Sequence, residues 1–331
     1  MAFSPTYDTT NPGAAVSNRE DLTDILTILA PEETPVLSSA SKTKANSTFV
    51  EWTVDTLDSP STVGTAEGAD VTAFTDKFAG RARLGNYVQK FRRDYMVSDL
   101  QDAVESVGPA KTAQAEAKAL RELKRDIEAT LCSNNDRSAE DGAGTVYKLR
   151  GLGDWIDSAG PSDVPAAYRT PAASINASGT TFNETALNNL ITSVYRVNGT
   201  TNNMMLVADT ALRRVISDFA RLDPDGIGPD TSIRNVNYNG SSAKIKLSVE
   251  LYQSDHGIVS IVNMNPDCAP DTVNKDTGYL IQSEYVSVAE LIPTGSTRLP
   301  NLGGGERGLV DATLTLCVKH PGAHGKITAL S

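Results

Sequence analysis

The sequence predicts a protein of mixed α+β class. Three observations carry that expectation. Two stretches alternate apolar and polar residues with a period of two, one from Val50 to Asp55 and one from Arg83 onward. A long helical stretch, AKTAQAEAKALRELKRDIEATLCSNN (110–135), follows them. A helix–strand–helix–strand block then begins near Asn183. At 331 residues, 39% hydrophobic and 21% charged, the chain has enough length and apolar content to bury a substantial core.

Residues 1–16 are rich in Thr, Pro, Gly and Ala and read as a flexible arm. Ser17 and Glu20 then have the spacing of a capping box. Leu22, Ile25, Leu26 and Leu29 line one face of a short helix that Pro31 ends. Such a helix has no core of its own and needs a surface to lie on. In the first alternating stretch Val50, Trp52 and Val54 share a face. In the second, RLGNYVQKFRRDYMVSD, Tyr87, Phe91, Tyr95 and Val97 do so. The polar, glycine-containing segment Ser59–Gly80 lies between them, so the two are expected to pair as a long projecting hairpin. Arms of about ten residues would reach on the order of 30 Å.

Pro109 suits the first turn of the long helix and Asn134–Asn135 its end. Ala110, Ala113, Ala117, Leu120, Ile127 and Leu131 are read as its apolar stripe, flat enough along the alanines to pack on a sheet. Residues 136–181 are loop-rich apart from KLRGLGDWIDSAG. In the block that follows, Asn183 caps a helix bearing Leu187, Leu190, Ile191, Val194 and Val197, and Gly199 closes it. Met204–Ala208 reads as a buried strand and Asp209 as the cap of a second helix with Leu212, Val215, Ile216 and Phe219. Strands are expected at Lys244–Tyr252, Ile258–Met264, Val286–Ile292 and Val310–Val318.

The chemistry-bearing residues are sparse. Cys132, Cys268 and Cys317 form no CxxC pair and read as reduced thiols. His320 and His324 are four apart, but Pro321 and Gly322 between them argue against a metal-binding helix; His256 falls in a turn. DPDGIGPD (223–230) places its glycine wrongly for a calcium loop, and GGGER (303–307) lacks the Lys-Ser/Thr of a phosphate loop. No nucleophile motif is present, so neither enzyme chemistry nor a cofactor or metal is expected. The N-terminus lacks the pattern of a signal peptide, and no apolar run is long enough for a membrane span. A net charge of −11 argues against tight sequence-specific DNA binding. Within this acidic chain Lys77, Arg81, Arg83, Lys90, Arg92 and Arg93 cluster on the hairpin, as expected of a basic projection docking on an acidic neighbour.

Several stretches resemble the major capsid proteins of tailed bacteriophages, in particular the SU-ten-like group. They include NREDLTDILTILAPEETPVLSSASKTKANSTFVEWTVDTL (18–57), EGADV (67–71), RLGNYVQKFRRDYMVSDLQDAV (83–104) and ELKRDIEATLCSNN (122–135). Further stretches are LRGLGDWI (149–156), YQSDHGIVSIVNMNPD (252–267), YVSVAELIP (285–293) and LVDATLTLCVKHPGAHGKITAL (309–330). Their order covers most of the chain. The resemblance implies a Hong Kong 97-like capsid fold with an N-terminal arm (1–47) and an extended loop (48–94). It also implies a peripheral domain (95–174) with a spine helix (109–134), an axial domain (175–275) and closing strands (276–331). It implies a structural subunit that self-assembles into pentamers and hexamers of an icosahedral virion, built in the host cytoplasm. Portal and scaffolding proteins are implied as partners, a decoration protein as an optional one, and double-stranded DNA as cargo contacted non-specifically. The hairpin cations and the arm leucines Leu22, Ile25, Leu26 and Leu29 are then the expected subunit interface. An encapsulin-like compartment of the same fold, or another phage structural protein, is the alternative. Lys77 is the hairpin-tip lysine suited to an isopeptide bond, but no partner for it is legible and no cross-link is expected.

Overall fold

A computed structural model of the chain describes residues 33–104, 111–177, 182–199, 203–219, 236–238, 243–245, 250–271, 273–274 and 276–328. The helices are α1 (Pro35–Ser39), α2 (Asp99–Ala103), α3 (Lys111–Cys132), α4 (Leu152–Trp155), α5 (Glu184–Asn198) and α6 (Thr210–Phe219). The strands of the first half are β1 (Ser41–Lys44), β2 (Phe49–Val54), β3 (Ala82–Tyr87), β4 (Gln89–Val97), β5 (Ile175–Asn176) and β6 (Met204–Ala208). Those of the second half are β7 (Val236–Tyr238), β8 (Ala243–Ile245), β9 (Leu251–Ser254), β10 (Gly257–Asn263), β11 (Gly278–Gln282), β12 (Val286–Leu299), β13 (Glu306–Val318) and β14 (Gly325–Ile327).

One sheet has the order β1-β12-β13-β4, with β1 parallel to β12 and the other pairs antiparallel. Its long pair, β12 and β13, extends well beyond the two segments the alternation marked. The extension carries charged and small residues that period-two reasoning does not see. The turn between them closes on Asn301, whose Oδ1 accepts from the Gly303 and Gly305 N–H groups at 2.7 and 3.3 Å. Gly305 sits at φ +122°, and a Cβ there would lie 2.1 Å from the Val97 carbonyl oxygen, so the GGGER stretch is a tight turn built on glycine.

The second alternating stretch is two strands rather than one. β3 pairs with β2, while β4 turns away to pair with β13 from Gln89 to Val97. The break falls at Val88, whose N–H donates to the Thr48 carbonyl at 2.9 Å, while the Thr315 hydroxyl donates to the Tyr87 carbonyl at 2.8 Å. The paired arms of the hairpin are therefore six residues each, about 20 Å, shorter than the expected ten.

Helix α3 lies across β4 and β13, as a strut on a sheet should. The buried stripe differs from the expected one: Ala119, Leu123, Ile127 and Leu131 are buried, at strict four-residue spacing, while Ala113 and Ala117 are exposed. Burial is concentrated in the C-terminal part of the helix, where Phe91, Val310, Ala312 and Leu314 share a core with Leu123, Ile127 and Leu131, while the first turn only flanks the outer sheet, Thr112 standing near Tyr95 and Arg307. Alanine gains too little by burial to hold the N-terminal turns to a surface. Ala110 and Pro109 lie outside the described residues, as do the arm leucines and the 223–230 turn.

The second sheet has the order β5-β14-β11-β6-β10-β9. Its two faces serve two cores. Met204, Leu206, Ala208 and Leu280 face α5 and α6, with Leu187, Leu190, Ile191, Val194, Leu212 and Ile216. Met205, Val207, Tyr279 and Ile281 face the core that holds the end of α3. Tyr279 ties the two together by donating its hydroxyl to the Cys132 carbonyl at 2.8 Å. The caps of α5 are those the sequence predicts. Asn183 accepts from the Ala186 N–H at 2.8 Å, and Gly199 ends the helix at φ +69°. Val197, however, stays largely exposed beyond the last turn packed on the sheet.

Candidate assembly interface

The hairpin divides into a clamped root and a free excursion. At the root, buried Asn86 donates from Nδ2 to the carbonyls of Leu316 (2.8 Å) and Arg150 (3.2 Å), and its Oδ1 accepts from the Arg150 N–H at 2.8 Å. The Arg150 guanidinium, 1% exposed, pairs with Asp136 (2.6 Å), Asp154 (2.8 Å) and Asp163 (2.8 Å). It also lies 4.8 Å from the ring centre of Trp155. Trp155 in turn meets Trp52 of β2, the rings 5.6 Å apart. Arg137 covers Phe49 at 5.0 Å, donates to the Gly85 carbonyl and pairs with Asp163 at 3.0 Å. Burial raises the Asp154 carboxyl above its usual range against the pull of Arg150. For Asp163, burial is outweighed by the hydrogen bond and charge of Arg150, and its carboxyl is held low.

Beyond the root, every residue from 55 to 81 is exposed. That run carries Leu57 (98% exposed), Val63, Val71, Phe74 (90%) and Phe78. A run of exposed large apolar side chains of this size on one projection marks an interaction surface.

The six hairpin cations do not form one patch. Lys77 pairs with Asp58, Arg81 with Asp55 at 2.8 Å and Arg83 with Glu51 at 3.8 Å. The hydrogen bond from Arg81 lowers the Asp55 carboxyl. Lys90, Arg92 and Arg93 belong to β4, in the other sheet, and divide between its faces. Arg93 points to the helix side and holds both oxygens of Asp126 of α3 at 2.6 and 2.7 Å. Lys90 reaches Asp311 on the opposite face at 3.6 Å. Arg92 shares that face and forms no ion pair among the described residues. These partners stand up to about 220 positions away, which is why the sequence shows cations without their counterions.

The face of the sheet opposite α3 is open over its outer half. Lys90, Arg92, Asp94 and Met96 of β4 lie there, all exposed. At the inner end of this face a groove of about 620 Å³ opens between β4 and the loop 136–148. Val88, Val146 and Tyr147 supply its apolar wall, with Arg92, Lys148 and Glu140 at its rim. Neither the groove nor the apolar tip was legible as a site in the sequence.

Other candidates carry less. Glu128, in the middle of the spine helix, is fully buried and accepts from the Val36 and Leu37 N–H groups at 2.9 Å each, which fastens α1 to α3. Burial raises its carboxyl, and those two N–H groups oppose the rise. The three cysteines are free and buried, with burial pushing Cys268 to about 11 and Cys317 to about 12. His324 is buried as well and accepts at Nδ1 from the Gln282 N–H at 3.2 Å. Among the described residues no group of three potential metal ligands is found, and no helix is long and apolar enough to cross a membrane.

The family described as SU10 major capsid protein matches this chain over residues 5–331. The chain belongs to that family. It is a structural subunit of a phage capsid, and its place is the virion. Solved structures share the fold at low sequence identity. The capsid of cyanophage P-SCSP1u matches with TM-score 0.64 and 12% identity over 100% of this chain and 99% of that one. The capsid of an empty GTA particle matches with TM-score 0.63 and 14% identity over 100% of both chains. A chain from Gordonia phage Cozz matches with TM-score 0.57 and 14% identity over 96% and 93%. No curated protein sequence matches the chain. The capsid protein is thus a Hong Kong 97-like subunit of an oligomeric shell.

Proposed function

We propose that the capsid protein closes into pentamers and hexamers of an icosahedral head around double-stranded DNA, each copy reaching over the next with its hairpin. The observation that carries this reading is the excursion 55–81. It exposes five large apolar side chains, and its ties to the body of its own chain lie at its base, where the Tyr168 hydroxyl donates to the Gly80 carbonyl and residues 55–57 stand beside Tyr285 and His320. A ribbon of that kind is marginal in water and gains stability by lying on a neighbour. The contact is head-to-tail, so rings close only when the rotation is right. In this reading residues 1–47 form the arm, with Leu22, Ile25, Leu26 and Leu29 against a neighbour, and 48–94 the extended loop. Residues 95–174 and 276–331 form the peripheral part, and 175–275 the axial part that gathers around the rings. The hairpin ion pairs of Lys77, Arg81 and Arg83 hold the ribbon's shape; Lys90, Arg92 and Arg93 belong to the surface a neighbour meets. Assembly takes place in the host cytoplasm with portal and scaffolding proteins, and the subunit performs no catalysis.

The test is negative-stain microscopy and sedimentation of the full chain expressed alone, in low and high salt. Rings of five or six, or closed shells, are the expected result. A monomer at every concentration and salt overturns closure of the rings by the chain's own contacts.

A further inference from the structure

We infer that the groove beside β4 receives the excursion of a second copy, with Phe74 as the apolar anchor and the acidic residues around it set against Arg92 and Lys148. The inference rests on the assembly reading and names the surface that reading leaves open.

Charge gives the pairing its direction. Residues 55–81 carry Asp55, Asp58, Glu67, Asp70 and Asp76 against Lys77 and Arg81. Both cations are consumed within the ribbon, by Asp58 and Asp55. Glu67, Asp70 and Asp76 form no ion pair among the described residues. The outer part of the ribbon is therefore an acidic surface, although Arg81, Arg83, Lys90, Arg92 and Arg93 gather on the descending arm. The groove shows the opposite balance. Arg92 and Lys148 at its rim have no ion-pair partner among the described residues, with Glu140 as the one carboxylate lining it. Lys90, also at the rim, is spent on Asp311. Complementary potentials of this kind fix partner and register more than they add affinity.

Shape and chemistry agree with the charge. The groove's volume lies within the range of pockets that hold a compact apolar group. Its wall of Val88, Val146 and Tyr147 suits an aromatic ring. Of the two phenylalanines on the ribbon, Phe78 is already covered by Arg81, whose guanidinium lies 4.0 Å from its ring centre. Phe74 is 90% exposed and stands between Asp70 and Asp76. A buried aromatic anchor with a polar rim is the usual composition of a binding hot spot.

The experiment mixes two full-length variants, Ala73→Cys, which keeps the Phe74 ring, and Val146→Cys, under assembly conditions, oxidises them mildly and resolves the products on a non-reducing gel. The native thiols are buried, so a band of twice the chain mass that forms in the mixture and in neither variant oxidised alone reports the new pair. The expected result is a mixed dimer, with its yield reduced at least tenfold when the Val146→Cys chain also carries Arg92→Glu and Lys148→Glu. Sedimentation of the unoxidised mixture separates the two ideas. Rings or shells without the mixed dimer overturn the groove and leave assembly standing. A chain that remains monomeric overturns both. A chain carrying both cysteines that links to itself, with no mixed dimer from the single variants, shows the ribbon folding onto its own groove and overturns the inference.

Discussion

The two parts of one hairpin are built on opposite principles. At the root, twelve paired residues are held by a buried asparagine, a buried arginine and two tryptophans from elements far apart in sequence. In the excursion, 27 residues are exposed, and the side chains that would normally be hidden face water. The root's geometry is decided by its own chain. The excursion's is left for another molecule to decide. A stability measurement should therefore read the root and miss the excursion, and an assembly measurement should read both.

The largest expected effect is at the root. Trp155→Ala removes a fully buried indole that joins the body to β2, and should destabilise the folded subunit by about 3–5 kcal/mol in denaturant unfolding. A loss below about 1 kcal/mol would erase the contrast, because the root would then be no better held than the excursion.

Arg150→Met comes next. It keeps most of the buried volume but leaves Asp136, Asp154 and Asp163 facing one another without their shared cation. Those carboxylates are partly exposed, so the cost is discounted to about 2–3 kcal/mol. Asp154, already raised by burial, should titrate higher still in the variant, which carboxyl-resolved NMR would show.

A third prediction sharpens the comparison through pH. Burial lowers the His324 imidazole to about 3 from an ordinary value of 6.5, and Nδ1, the nitrogen that would take the second proton, already accepts from the Gln282 N–H. The unfolded chain therefore binds the proton first. Stability supplied by the neutral imidazole is complete above pH about 6.5 and is lost as pH falls toward 3, at a slope approaching 1.4 kcal/mol per pH unit. His324→Gln keeps an acceptor for the Gln282 N–H and should flatten that slope in unfolding experiments between pH 4 and 6.5. The excursion, having no buried titratable group, should contribute nothing to it.

The contrast also governs what could be read from the sequence. The caps of α5 and the buried strand β6 were legible because a few adjacent residues determine them. The stripe of α3 was legible only in part: Ile127 and Leu131 are where the 3.6-residue period puts them, but the alanines carried too little information to fix the rest. Glu128 looked like one more surface charge on a charged helix, since the backbone groups it accepts from stand over ninety positions earlier. Arg150 was hidden in the same way within LRGLGDWI, its role set by an asparagine of β3 and by carboxylates from α4 and two loops. The hairpin cations misled for the opposite reason, because their carboxylate partners Asp126 and Asp311 become visible only after folding. Short-range signals name elements; the clamp between elements is written in pairs that only the fold brings together.

The smallest effect on stability should accompany one of the largest effects on assembly. Phe74→Ser removes an exposed ring that touches no core residue, so unfolding of the isolated subunit should change by less than about 0.5 kcal/mol. The same change removes the proposed anchor between copies, and sedimentation should show assembled protein reduced at least tenfold at equal concentration. Val63→Ser on the same ribbon is the control, since it alters an exposed apolar residue without touching the anchor. Equal losses for the two would mean that the ribbon docks by general apolar contact, and no single groove would be needed. A loss confined to Phe74→Ser would mean that one side chain on an otherwise yielding projection sets the register of the shell.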